Sequence, residues 1–366
     1  MPACRWLRTG PTWKPSPGPR PPKAASAPTP KPPGGHRKNN LPGPKDELFF
    51  GYYLPAAITM PGEGGPAVPG FARRATLCSC RDNPVRALVP VLTAMPAAGI
   101  PPGDILAGSG YAHRDAAAWS VPLRAAGAQL IQDLHPHDRG PKGTRQGAII
   151  SNGNLYCPKT PRPLLEPGPP ARDAAEEQAA AHDAKTAELA RYKPGRITRD
   201  DDDGYHRVTC PAAMGKIRCP LRPSSMTLDR NRPEILQPPQ HPQQRCTQQT
   251  ITVPADVLAK TAQKHDYPSK AHRRSYARRT GAERGFATAK DPASNDISRG
   301  WCRLTGLAPL MLFATTLLVV RNQRILQAWN ARQEENERRA AKGLPPRTRR
   351  RRRKTLTALA AATRPP

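Results

Sequence analysis

The stretch YARRTGAERGFATAK places Tyr276, Arg279, Glu283 and Lys290 at offsets 0, 3, 7 and 14. At about 100° per helical residue these fall at roughly 0°, 300°, 340° and 320°, so all four share one stripe about 60° wide. A carboxylate one turn beyond an arginine can be an ordinary surface ion pair, worth ~0.3–0.5 kcal/mol. That reading leaves Tyr276 and Lys290 on the stripe unexplained, along with Phe286 at its edge. A Glu283 carboxylate that ligates a divalent ion accounts for more. Arg279, Lys290 and the Tyr276 hydroxyl then hold the phosphates of the strand whose cleavage the ion assists.

Other residue types with metal chemistry are scattered through the middle of the chain. Cys157, Cys210 and Cys219 are each followed by proline, and Cys246 lies in the same region. The four make a set for structural zinc, though without a C-x2-C pair, and unmetallated thiols are the competing reading. Cys78 and Cys80 read as a strand edge. His135, His137 and Asp138 in DLHPHD could ligate a metal, but Pro136 favours a solvated turn, as does the acidic run Asp200 to Asp203.

The elements that must position these residues begin after a long basic arm. Residues 1–45 hold 13 prolines and nine Lys/Arg with no Asp or Glu, a composition that cannot offset chain entropy by burial and is expected to be disordered. From Asp46 to Met60 short aromatic and β-branched runs predict a strand or hairpin. A helix is expected within Asn83 to Ile100, a buried strand and Gly-rich turn within Gly103 to Arg114, then another helix and a strand ending near Leu134. This β-α-β-α-β order predicts an α/β layered core, first part 46–140. Residues 141–260 break the alternation with a polar, alanine-rich helix (Arg172 to Lys193) and proline-rich loops, and read as an insertion.

The core resumes over 261–330, with Ser269 placed to cap a helix that Pro292 stops. Leu304 to Val320 is an apolar run of 17 residues bounded by Arg303 and Arg321. It falls at the lower limit for a membrane span, which needs ~20 residues. A core helix packed on strands near Ile105 and Leu130 is the expectation, and no membrane partner. A charged helix and the run Arg347 to Lys354 complete 331–366. No secretory signal opens the chain, which points to a cytoplasmic protein with reduced thiols. With 58 Lys+Arg against 28 Asp+Glu, the formal charge of +30 favours a polyanion such as DNA as partner.

The spacing Tyr276, Arg279, Glu283, Lys290 resembles the Tyr-x2-Arg-x3-Glu-x6-Lys signature of insertion-sequence DDE transposases of the actinobacterial type. The similarity extends over roughly residues 37–330. It implies a ribonuclease H-like mixed-sheet core, with a loop-rich insertion, and metal-dependent DNA cleavage and strand transfer. In that family three acidic side chains hold two Mg²⁺ ions. Glu283 matches the third, and Tyr276, Arg279 and Lys290 the DNA-binding positions. The second acid belongs in an Asp-x-Gly-Tyr context, which here reads Gly108-Ser109-Gly110-Tyr111; Asp104 and Asp115 lie four residues before and seven after. No acidic residue precedes Asp46 to supply the first. The chain thus reads as an N-terminally altered transposase or its degenerate remnant; the alternative is a catalytically inactive, non-specific DNA-binding protein derived from one, and a membrane-anchored basic protein is the third reading, while a homo-oligomer is compatible with the first two.

Overall fold

The computed structural model describes residues 51–166, 168–170, 174–291, 302 and 304–347, and the backbone of four strands before them. Those four are β1 (Cys4–Trp6), β2 (Thr12–Trp13), β3 (Gly34–Lys38) and β4 (Asp46–Phe50). The rest of the arm, Pro292 and most of the Arg347 to Lys354 run lie outside the described residues. Short strands follow: β5 (Tyr52–Tyr53), β6 (Ala56–Ile58), β7 (Ala72–Ala75) and β8 (Cys78–Ser79). They form the small sheets β2-β5-β8, β3-β4 and β6-β7, with Cys78 on the β8 edge.

The chain then enters the expected α/β alternation. Asn83 caps α1 (Pro84–Thr93) by accepting the Val85 N–H, and Pro84 at the first helical position costs no hydrogen bond. Next come β9 (Pro102–Ala107), α2 (Ser109–Ala112), α3 (Ser120–Ala125) and β10 (Gln129–Gln132). β1, β9 and β10 make a parallel sheet in that order, with Ile105 beside Leu130 and Ala107 beside Gln132. Strand alternation sends Ile105, Ala107 and Leu130 to one face, where Val85, Leu88 and Leu92 of α1 and Leu123 of α3 bury them around Trp119. Trp119 is fully buried, and its Nε1 donates to Gln132 Oε1 at 2.9 Å.

The middle third is more ordered than proline-rich loops. It contains a meander of β11 (Pro141–Arg145), β12 (Ala148–Ser151) and β13 (Asn154–Tyr156). Two-residue turns join these strands, Gln146-Gly147 at φ 48° and 89° and Asn152-Gly153 at φ 49° and 77°. Paired positive φ values of this kind define the hairpin turn whose twist matches its strands. Only glycine fits at 153, since a Cβ there would lie 2.2 Å from the Thr261 carbonyl oxygen.

Beyond α4 (Arg162–Leu165), the alanine-rich helix forms as α5 (Glu176–Arg191). A second antiparallel sheet joins β14 (Gly195–Arg196), β15 (His206–Thr209) and β16 (Thr250–Val253), with α6 (Pro223–Met226) and α7 (Gln244–Thr247) between the last two.

The last helices among the described residues are α8 (Lys270–Ala277), α9 (Thr280–Ala289) and α10 (Leu307–Ala341). The capping expectation holds, since Ser269 Oγ accepts the His272 N–H at 3.2 Å. Two expectations are corrected. The apolar run and the charged helix are one 35-residue helix, and Arg321, read as a polar boundary, is buried at 3% exposure. The run also packs away from Ile105 and Leu130. Leu310, Ala314 and Leu318 form an i, i+4, i+8 stripe; the first two meet Tyr52, Leu54 and Leu77, while Leu318 meets Ala289 and Ala72. Leu312, at 71% exposure, faces out. Among the described residues no helix is long and apolar enough to cross a membrane.

Candidate functional site

α8 and α9 are separated at Arg278 and Arg279, both of which keep right-handed helical angles, so the stripe runs on across the break. The Arg279 guanidinium lies 5.2 Å from the Tyr276 ring centroid, and its Nη2 is 2.9 Å from Glu283 Oε1. Tyr276, Arg279 and Glu283 therefore form one row, as their spacing predicts. Lys290 caps the C-terminal end of α9, about two turns beyond Glu283.

The row continues towards the parallel sheet. Tyr276 stacks on His272, whose Nε2 lies 3.1 Å from the Gln132 carbonyl oxygen at the end of β10. Tyr267 meets the His272 ring edge-on and donates from its hydroxyl to Asp133 Oδ1 at 2.9 Å. Asp133 in turn donates its backbone N–H to Ala107. Gly108 follows Ala107 and stands at the N-terminus of α2, so the row ends on the strand beside it. A Cβ at Gly108 would meet nothing within 4 Å.

Three acidic residues near this face have cationic partners. Asp133 accepts from Arg139 Nη2 at 3.1 Å. Asp104, 3% exposed, lies on β9 between Lys264 Nζ at 3.0 Å and Arg278 Nη2 at 2.9 Å. Glu63 joins the same network, 2.9 Å from Lys264 and 2.6 Å from His265. Burial opposes its ionisation, but hydrogen bonds from Ser275, Lys264 and His265 prevail and bring its carboxyl to about 2. Asp115 is exposed. These donors do not fit a two-metal carboxylate site: Glu283 is held by Arg279, position 108 has no side chain, and Asp104 is balanced by two cations.

Sequence reasoning missed Asp133, Tyr267 and Glu63. Asp133 had a signal, since it follows its strand at the level where Gly108 follows the neighbouring one. His113 was missed as well. It brings His135 and Asp138 into a group whose ligating atoms lie within 4.8 Å of one another, the one such group among the described residues. Asp138 is shared with Lys260 Nζ at 2.6 Å. His137 stacks on His135 outside that group. Cys157, Cys210, Cys219 and Cys246 line a common cavity within the insertion. The acidic run remains a turn, with Asp200 paired to Arg196.

No protein-family model, curated protein or solved structure matches this chain.

Proposed function

We propose that the chain derives from an insertion-sequence DDE transposase and binds DNA without strand transfer. The observation that carries this reading is the row Tyr276, Arg279, Glu283, set on helices that dock beside the end of a parallel strand. A ribonuclease H-like ancestry accounts for both the row and the glycine at position 108. The formal charge of +30 supports a polyanionic partner. Arg279 and Lys290 contact phosphate in this reading, Tyr276 orients Arg279, and Glu283 is a partner of Arg279 and no longer a metal ligand. The Mg²⁺ ions of the family would lower the barrier to in-line phosphoryl transfer by clamping the attacking and leaving oxygens. With the present donors no such step is assigned to this chain.

The test is fluorescence anisotropy on arbitrary duplexes across a salt series, beside a nicking assay with Mg²⁺ or Mn²⁺ on DNA carrying an element's ends. Expected are sequence-tolerant, salt-sensitive binding and no nicking, also in Gly108→Asp, for which the structure has room. Absence of binding at low salt overturns the DNA reading. Metal-dependent nicking that vanishes in Glu283→Ala overturns the loss of catalysis, and directs attention to Asp133 before Asp104.

A further inference from the structure

The cavity in the insertion is lined by cysteines from four separate pieces of chain. Cys157 follows β13, Cys210 follows β15, Cys219 lies in the loop before α6, and Cys246 is on α7. Three of the four, Cys157, Cys210 and Cys219, are each followed directly by proline.

Arg245 supplies an independent observation. It is 1% exposed and lies among Cys157, Cys210 and Cys246. Its Nη2 donates to the Thr209 carbonyl oxygen at 2.5 Å, but its Nε and Nη1 are buried with no hydrogen-bond partner. A buried guanidinium with unsatisfied donors is stabilised only by an anionic neighbour.

We infer that Cys157, Cys210, Cys219 and Cys246 bind one structural zinc ion as four thiolates, with Arg245 as the buried countercharge. Four S–H bonds give their protons to solvent, four Zn–S bonds form, and the ion sheds its waters; nothing is oxidised or reduced. The tetrathiolate centre carries a formal charge of −2, which Arg245 partly offsets. Soft thiolates in a closed set of four select zinc over harder ions. Binding must contract the cavity. No three of these sulfurs lie within 4.8 Å of one another, while a tetrahedron with Zn–S bonds of ~2.3 Å has sulfurs about 3.8 Å apart. The contraction would tie the ends of β13 and β15 to α7 and the intervening loop.

The test uses the full chain purified from zinc-supplemented medium. Elemental analysis is expected to give one zinc per chain, released by a thiol-binding mercurial. Cobalt substitution should give thiolate charge-transfer and tetrahedral d–d absorption. Cys246→Ser, at the most exposed of the four, should weaken zinc binding at least about tenfold, and Arg245→Met roughly tenfold. Cys302→Ser and His113→Ala should leave it unchanged. The inference is overturned by a folded chain that takes up neither zinc nor cobalt, or by unchanged affinity in Cys246→Ser. Loss of the metal in His113→Ala would also overturn it, by moving the ion to the His113, His135 and Asp138 group.

Discussion

His272 lies between two tyrosine rings, with centroids 5.0 Å from Tyr267 and 5.8 Å from Tyr276, and joins the Glu283 row to the end of β10. Its Nδ1 is buried without a partner. Desolvation brings its pKa down to about 4. The unfolded chain takes up a proton near pH 6.5, where the native ring remains neutral, so the neutral ring's contribution is fully present above that pH. It is lost as pH falls from 6.5 towards 4, by up to about 3 kcal/mol. Urea unfolding at pH 7.5, 5.5 and 4.5 should show this decline, and His272→Gln should flatten it. An equally steep decline in the variant would assign the effect to other groups. Trp119→Phe provides a pH-independent measure nearby. It removes the buried bond to Gln132 and should cost about 1–3 kcal/mol at neutral pH.

Helix α9 holds two glycines where helix propensity would favour alanine by ~1 kcal/mol each. Packing reverses that preference at Gly285, where a Cβ would lie 3.1 Å from Ile58 Cγ2 and 3.2 Å from Arg321 Nη2. Gly285→Ala should therefore destabilise by about 1–3 kcal/mol. Gly110→Ala, in α2 with nothing within 4 Å, should be neutral or stabilising by up to ~1 kcal/mol. Thermal unfolding of the pair checks the contrast. On α10, Leu318→Ala should cost ~2 kcal/mol or more; Leu312→Ala, far more exposed, should stay within about 0.5 kcal/mol.

The same elements show what was legible in the sequence. Ser269, the Tyr276, Arg279 and Glu283 spacing and the core alternation could be read because each depends on neighbours within two turns. The hairpins at Gln146-Gly147 and Asn152-Gly153 had local signals too, but prolines dominated the reading of that region. The unity of α10 was hidden by a change of composition at Arg321, although no glycine or proline interrupts residues 310–342. Burial of Arg321 depends on a distant partner, since its Nε donates to the Gly285 carbonyl at 3.1 Å. The Glu63, Asp104, Lys264 and Arg278 network likewise joins residues far apart in the chain, and periodicity carries no trace of it.

For the whole molecule, charge sets the expected behaviour with DNA. Each phosphate contact contributes about −0.9 to the slope of log K against log salt. Removing residues 347–354, which comprise seven Arg/Lys and one other residue, should flatten that slope by several contacts. An unchanged slope would place the binding on the body alone. Ion pairs also fasten the middle third to the C-terminal elements, Arg273 to Asp183 at 2.6 Å and Lys193 to Asp266 at 2.5 Å. At 25–39% side-chain exposure each is a weak link, up to about 1 kcal/mol, and screened by salt.

The length of α10 gives the molecule reach. Arg321 is its last buried residue, and the chain after the helix turns back so that the Arg347 N–H donates to Asn336 Oδ1 at 3.1 Å. At 1.5 Å per residue, Asn336 lies about 22 Å along the axis from Arg321. The arginine run thus starts on an outrigger and not on the body. With base pairs 3.4 Å apart, that offset spans six or seven of them. A duplex gripped at both places would carry two contact zones separated by more than half a helical turn, and lengthening α10 by whole turns would move those zones apart in steps of about 5.4 Å.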